Sequence, residues 1–151
     1  MLHDLARLYS DDRLLAECET RGMPIAPYER AHPVVLHARL GAELAREVYG
    51  VTDGAIISAI RKHTLADGDM SVLDCILYLA DALEPGRRFS GRAALASLAM
   101  DDLTEATRAT LSSTLVLLRE RGLEPAPQTL AAARAFGVRP HTEEEVSGRS
   151  A

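Results

Sequence analysis

The histidines of this chain fall in a pattern that predicts metal chemistry. Four of the five lie at or near predicted helix ends inside apolar segments, and acidic residues accompany them, in the order His3 with Asp4, His32, His37, His63 and Asp81. Imidazole and carboxylate groups together suit divalent iron, manganese or zinc. The two cysteines, Cys18 and Cys75, lack the spacing of a thiolate metal site. The residue types therefore favour a metal centre built from nitrogen and oxygen ligands.

The pair His3 and Asp4 restricts where such a centre can lie. Adjacent residues of a helix project about 100° apart, so both side chains serve one metal cluster only where two helices meet. Taken alone, the dipeptide favours a surface pair at a chain terminus. The order of the remaining motifs decides between these alternatives.

Apolar residues at helical spacing predict an all-α fold of about seven helices that holds these side chains. Ser10 and either Thr52 or Asp53 are predicted N-caps, and Ser71 is predicted to start a helix. The predicted elements are the last turns of a helix at 2–8 and helices over 11–20, 34–49, 53–63, 71–83, 91–100, 101–121 and 128–136.

Prolines and polar residues predict the boundaries of the domain. Pro24, Pro27 and Pro33 predict an irregular connection up to Ala31, because each removes a backbone donor and restricts its predecessor. The helical segments together predict one domain over residues 1–137. Residues 138–151 are polar and acidic, so we expect them to form a flexible tail.

The composition argues against several classes of partner. A net charge of -5 and a pI near 5.5 argue against binding to nucleic acid, which requires a clustered basic surface. No stretch approaches the roughly 20 apolar residues of a membrane span, so no membrane partner is expected. Two distant cysteines do not form a disulfide framework, and we therefore expect a cytoplasmic protein.

Four segments occur in an order that resembles one family. They are LHDLAR (2–7), HPVVLHARLGA (32–42), AIRKHT (59–64) and MSVLDCILYLADALEPGR (70–87). Together they resemble the HD-domain YqeK family, whose members are symmetrical bis(5'-nucleosyl)-tetraphosphatases with a di-iron centre. The resemblance continues through the late helices to residue 136, and it implies that residues 1–137 form an HD-domain helical bundle.

The resemblance also implies a set of metal ligands. His3 and Asp4 would be the HD pair, with Asp4 as the catalytic residue that bridges two metal ions. His37 and His63 would bind one ion, and Asp81 would bind the other. The implied cofactors are two divalent ions, iron in this family, with manganese and zinc as alternatives.

The implied activity is the symmetrical hydrolysis of diadenosine tetraphosphate to two ADP by a hydroxide that the two metal ions activate. A dinucleoside polyphosphate would then be the substrate that the chain binds. Two alternatives stay open at this point. One is an HD phosphohydrolase for another nucleotide, because a fold does not fix a substrate. The other is a catalytically inactive helical module.

Five polar side chains are candidate contacts to the substrate, because guanidinium forks, an ammonium group and a hydroxyl match phosphate oxygens. They are Arg61, Lys62, Thr64, Arg87 and Arg88. The alternative for the basic members of this set is that they are simply solvated.

Two residues of the segment before Pro85 also allow more than one interpretation. Asp74 lies seven residues before Asp81 on roughly the same helix face, so it either supports that ligand or is solvated. Tyr78 is predicted to belong to the core rather than to a surface that stacks on adenine.

The chain departs from the family pattern at its start. The family takes a further ligand histidine from a helix that precedes the HD pair, but only Met1 and Leu2 precede His3 here. We therefore expect an N-terminally incomplete chain, a fragment or one with a misassigned start, whose metal site lacks one ligand. Apolar faces left uncovered by that helix predict self-association, with a homodimer as its simplest form.

Overall fold

A computed structural model describes residues 2–87 and 89–138, and the regular secondary structure of these residues is helical. It contains eight α-helices: α1 (Asp11–Thr20), α2 (Pro27–Ala31), α3 (Leu36–Tyr49), α4 (Gly54–Lys62), α5 (Val72–Ala82), α6 (Arg92–Asp101), α7 (Leu103–Glu120) and α8 (Pro127–Ala135). Short 3-10 helices span Leu2–Asp4 and Pro33–Val35. The predicted all-α class is confirmed. The predicted tail beyond Val138 lies outside the described residues and stays a prediction.

The N-caps predicted at Ser10 and at Thr52 or Asp53 are confirmed, and Ser71, predicted to start a helix, is the N-cap of α5. Ser10, Asp53 and Ser71 accept backbone N–H groups two or three residues further on at 3.3, 2.8 and 3.2 Å. Asp53, rather than Thr52, therefore caps α4. Such caps satisfy N–H groups that have no partner within the helix.

Two predicted elements were wrong. Pro27 does not belong to an irregular connection but begins α2, since proline is tolerated in the first helical turn, where its missing N–H is no loss. Glu29 stabilises this start by accepting the backbone N–H of Ala26 at 2.8 Å. At the beginning of the chain, Leu2–Asp4 forms a 3-10 helix followed by turns, not the last turns of an α-helix, and Leu8 is exposed.

The buried apolar residues form three clusters. One includes Leu40 of α3 and Leu14 of α1, and another includes alanines of α3 and Ile60 of α4. The third joins α5, α7 and α8 through Leu79, Leu111 and their apolar neighbours. Within the residues described, no helix is both long and apolar enough to cross a bilayer. The homodimer and the cytoplasmic location stay predictions.

Gly41 in α3 permits the close approach that brings the start of the chain to the core. A Cβ atom at this position would lie 3.3 Å from the backbone oxygen of His3 and 3.9 Å from a methyl group of Ile60. The absence of a side chain therefore lets the 3-10 helix Leu2–Asp4 lie directly against α3, close to α4. This contact places His3 and Asp4 beside two helices.

A buried ion pair joins α2 to α3. Glu29 is 1% exposed, and its carboxylate accepts Arg39 Nη1 at 2.7 Å in addition to the N–H of Ala26. Because the carboxylate has little access to water, its charge depends on these partners. By contrast, the side chain of Glu19 is 56% exposed where it pairs with Arg30.

We predict that Glu29→Ala lowers the free energy of unfolding by about 3 kcal/mol, because the partly buried Arg39 and the N–H of Ala26 both lose a buried acceptor. The matched change Glu19→Ala removes an exposed pair and should cost less than about 1 kcal/mol. Urea denaturation followed by circular dichroism measures both values. Equal losses in the two variants would show that burial does not set the strength of the Glu29 pair.

Candidate metal centre

Backbone carbonyl groups orient the two most deeply buried histidines. His37 Nδ1 lies 2.6 Å from the carbonyl oxygen of Val34, and His63 Nδ1 lies 2.7 Å from that of Ile60. A carbonyl oxygen only accepts, so each Nδ1 carries the hydrogen and donates it. In the neutral ring the lone pair then belongs to Nε2. The two Nε2 atoms face each other at 3.2 Å.

One carboxylate reaches all three imidazoles. Asp4 Oδ1 lies 3.6 Å from His37 Nε2 and 3.7 Å from His63 Nε2, and Asp4 Oδ2 lies 3.5 Å from His3 Nε2. The rings of His3 and His63 meet edge to face, with centroids 4.8 Å apart. Asp4 is therefore the shared member of the cluster.

The fifth predicted ligand, Asp81 of α5, lies beside His3. Its Oδ1 lies 3.9 Å from His3 Nε2, while its Oδ2 accepts Arg87 Nη2 at 2.9 Å. Arg87 Nε also donates to the backbone oxygen of Asp81 at 3.1 Å. Arg87 thus fixes the carboxylate so that Oδ1 faces the imidazoles.

The protonation states of the buried rings suit metal binding. Burial lowers the pKa of His37 and of His63, although each backbone hydrogen bond partly opposes the effect. Both rings are therefore neutral near pH 7, which is the form that binds metal.

The donor set fits a divalent ion. One ligand atom each from His3, Asp4 and His63 lies within 4.8 Å of the others. Two Nε2 lone pairs that face each other cannot bond to one another. The hydroxyl oxygen of Thr64 lies 3.1 Å from His63 Nε2 and 3.2 Å from His37 Nε2, but its one hydrogen is donated to only one of them. A cation bound by imidazole and carboxylate resolves this conflict.

A cavity of about 830 Å³ opens onto the cluster. Four of the five predicted ligands line it, namely Asp4, His37, His63 and Asp81. Most of the remaining lining comes from the α5–α6 connection and from α7, and single residues of other segments complete it. Its volume falls in the usual range for small-molecule sites.

Comparisons with known proteins identify the family of this chain. The sequence pattern of the HD domain matches residues 1–86. This chain belongs to the HD-domain family. A relative from Bacillus subtilis, named bis(5'-nucleosyl)-tetraphosphatase, symmetrical, is 31% identical over 129 residues, which are 85% of this chain and 69% of the relative. A relative of the same name from Halalkalibacterium halodurans is 38% identical over 97 residues, 64% of this chain and 52% of that protein.

A solved structure shares the fold of this HD domain. It comes from Clostridium acetobutylicum and is described as a predicted HD superfamily hydrolase involved in NAD metabolism, with a TM-score of 0.85 and 29% identity. The similarity covers 89% of this chain and 71% of that one. These findings confirm the predicted family and the predicted HD-domain bundle. They also confirm the predicted class of enzyme, a hydrolase. The chain spans about half of the Halalkalibacterium relative and somewhat more than two thirds of the Bacillus one.

Two of the predicted substrate contacts line the cavity of this HD domain. Thr64 follows His63 directly, and Arg87 approaches from the end of the α5 segment. Arg88 lies outside the described residues. The roles of all these residues, like those of the proposed ligands, stay predictions.

The other two predicted contacts, although they lie in the described chain, do not line the cavity. Arg61 Nη2 pairs with Glu43 at 2.8 Å on the surface. Lys62 Nζ pairs with Asp69 at 2.9 Å and with Asp74 at 3.2 Å. Burial disfavours the charge of Lys62, but its hydrogen bonds to both aspartates outweigh burial and raise its pKa. Asp74 is buried and accepts the N–H of Ser71, so the alternative of a solvated acid was wrong.

Arg7 is a cavity residue that the sequence analysis missed. It lies three residues after Asp4, is exposed, and lines the same cavity. The spacing between Asp4 and Arg7 could have indicated this position, because residues three apart in a helical turn lie on the same side of it. Among the described residues it forms no salt bridge, in contrast to Arg61 and Arg87.

We predict that Asp4→Asn weakens the binding of Mn²⁺ by about 100-fold or more, because the amide keeps the shape but removes the charge shared by three imidazoles. Titration calorimetry on chelator-treated protein measures the affinity. Asp12→Asn, at an exposed position in the first turn of α1, is the matched control and should leave it unchanged. Equal affinities for Mn²⁺ in the two variants would show that Asp4 is not a metal ligand.

We also predict that the metal-free protein loses stability as the pH falls below about 6.5, the ordinary pKa of histidine. His37 and His63 have lowered pKa values in the folded chain, so the unfolded chain binds protons first. Their contribution is full above pH 6.5 and is lost as the pH falls through the lowered values.

Melting temperatures of chelator-treated protein between pH 8 and pH 5 measure this dependence. The double variant His37→Asn, His63→Asn should have a flatter profile, whereas His32→Asn, at a partly exposed position beside Tyr28, should keep the original slope. An unchanged slope in the double variant would assign the dependence to other groups.

Proposed function

We propose that this HD domain hydrolyses dinucleoside tetraphosphates symmetrically, converting diadenosine tetraphosphate to two ADP with the help of two divalent metal ions. The observation that carries the proposal is the convergence of His3, Asp4, His37, His63 and Asp81 beside a cavity. The names of the Bacillus and Halalkalibacterium relatives supply the substrate class.

The charge of the chain supports a role for metal ions in binding such a substrate. The chain carries a net charge of -5, and Asp4 and Asp81 add two negative charges to the cluster itself. A polyphosphate would be repelled from these carboxylates alone. Two divalent ions would give the cluster a net positive charge of two and turn repulsion into attraction.

Each ligand has a distinct part in the proposed site. Asp4 would bind both ions, since its two oxygens face different imidazoles. His37 and His63 would hold one ion and Asp81 the other, with iron as the proposed metal and manganese or zinc as alternatives. Ions at such a site polarise phosphate oxygens and acidify water.

Side chains around the cluster would position the polyphosphate. The guanidinium of Arg7 and the hydroxyl of Thr64 line the cavity beside Asp4 and suit phosphate oxygens. Arg87 uses Nε and Nη2 on Asp81 and has Nη1 left for a phosphate oxygen. Cleavage at the centre of the tetraphosphate requires its middle phosphates to lie at Asp4 and Asp81.

We expect the protein purified without oxygen to contain iron and to release ADP as the only nucleotide from diadenosine tetraphosphate. Metal analysis and ion-exchange chromatography of the products test both points. The Asp4→Asn variant should neither contain iron nor release ADP, while the Asp12→Asn variant should do both. Equal amounts of AMP and ATP would contradict symmetrical cleavage. Turnover of another nucleotide with none of diadenosine tetraphosphate would contradict the substrate.

A further inference from the structure

The wall of the cavity that α7 contributes differs chemically from the metal cluster. Thr110, Ser113, Thr114 and Leu117 line the cavity and lie on one face of this helix, since they recur at intervals of three and four. Their side chains are hydroxyls and an alkyl group. In the described lining the cations Arg7 and Arg87 belong to the metal side, and α7 adds no lysine or arginine.

Thr110, a residue of this wall, has a buried hydroxyl without a partner. Thr110 is 4% exposed, and its Oγ1 has no hydrogen-bond partner among the described residues. The hydroxyls of Thr107 and Thr114 are satisfied within α7, by the carbonyl oxygens of Leu103 at 2.8 Å and Thr110 at 2.9 Å. A buried polar group without a partner is rare in folded proteins. Because Thr110 lines the cavity, a rotation of its side chain toward the cavity would let a ligand group serve as the missing partner.

Aromatic side chains complete this wall. Only 4% of the chain is aromatic, yet both Tyr78 and Phe89 line the cavity. Tyr78 is buried, as predicted for a core residue, whereas Phe89 is 41% exposed at the α5–α6 connection. Leu95 and Leu117 line the same cavity. The exposed phenyl ring of Phe89 offers a flat apolar surface, which suits a nucleobase.

We infer that this wall is a nucleoside subsite, in which Phe89 stacks on the purine base and the Thr110 hydroxyl forms a hydrogen bond with the nucleoside. The inference rests on the proposed function for the substrate class. This wall of hydroxyl and aromatic groups, whose charged α7 member is the acidic Glu120, binds the nucleoside and not the anionic phosphates. The phosphates extend from there to the side of the cavity that carries Arg7, Arg87 and the metal ligands.

Binding of ADP compared with inorganic pyrophosphate tests the subsite, because the two ligands differ by the nucleoside. Titration calorimetry on the Mn²⁺-loaded chain gives both dissociation constants. We expect Phe89→Ala to weaken ADP about 10-fold and Thr110→Val about 3- to 10-fold. Neither change should alter the affinity for pyrophosphate.

Matched controls separate these effects from losses of packing. Met100→Ala removes an exposed apolar side chain outside the cavity, and Thr107→Val removes a hydroxyl that is satisfied inside α7. Neither should change the affinity for ADP. Circular dichroism checks that each variant is folded, and since Phe89 is exposed, Phe89→Ala tests the subsite even if Thr110→Val unfolds.

The outcomes distinguish the subsite from the proposed function. If diadenosine tetraphosphate is cut to ADP but Phe89→Ala and Thr110→Val bind ADP like the parent chain, the subsite is overturned alone. An equal loss of ADP and pyrophosphate binding overturns it as well. If nothing is hydrolysed but ADP binding still depends on both residues, the subsite stands and the proposed function fails.

Discussion

The donation of Nδ1–H from His37 and His63 to backbone carbonyls is the constraint on which the site depends. Each acceptor lies three residues earlier in the chain, so the ring is held by its own helical turn. Ile60 lies in the last turn of α4, where carbonyl groups lack partners within the helix. A helix end thereby orients an imidazole without a further side chain, and the ring's other nitrogen is free to face Asp4.

This orientation concentrates electron pairs in a small volume. Nε2 atoms 3.2 Å apart and two nearby carboxylates repel one another unless positive charge lies among them. The buried pair of Glu29 with Arg39 solves the same problem with a guanidinium. At the cluster, Arg87 is the one arginine of the described residues that pairs with a carboxylate, Asp81. The remaining side, which faces the cavity, suits a metal ion and an anionic substrate.

Local features were predictable from the sequence, and features that depend on packing were not. Ser10, Asp53 and Ser71 cap helices through contacts two or three residues away, so their neighbours determine them. The positions of Arg61 and Lys62 depend on carboxylates that the fold brings from other elements, and no spacing along the chain indicates these partners. The ligands were assigned through the family resemblance for the same reason, because packing of α3, α4 and α5 unites residues far apart in sequence.

The 3-10 helix at the start of the chain shows how adjacent residues can serve one cluster. On a single helix His3 and Asp4 would diverge, and the sequence therefore required a junction between elements. Gly41 provides it, because the missing side chain lets the backbone of His3 rest on α3. His3 then turns its ring against His63, while Asp4 extends toward His37 and His63 from the other side. Close backbone contact, rather than a favourable helix face, is what converts a dipeptide into two parts of one site.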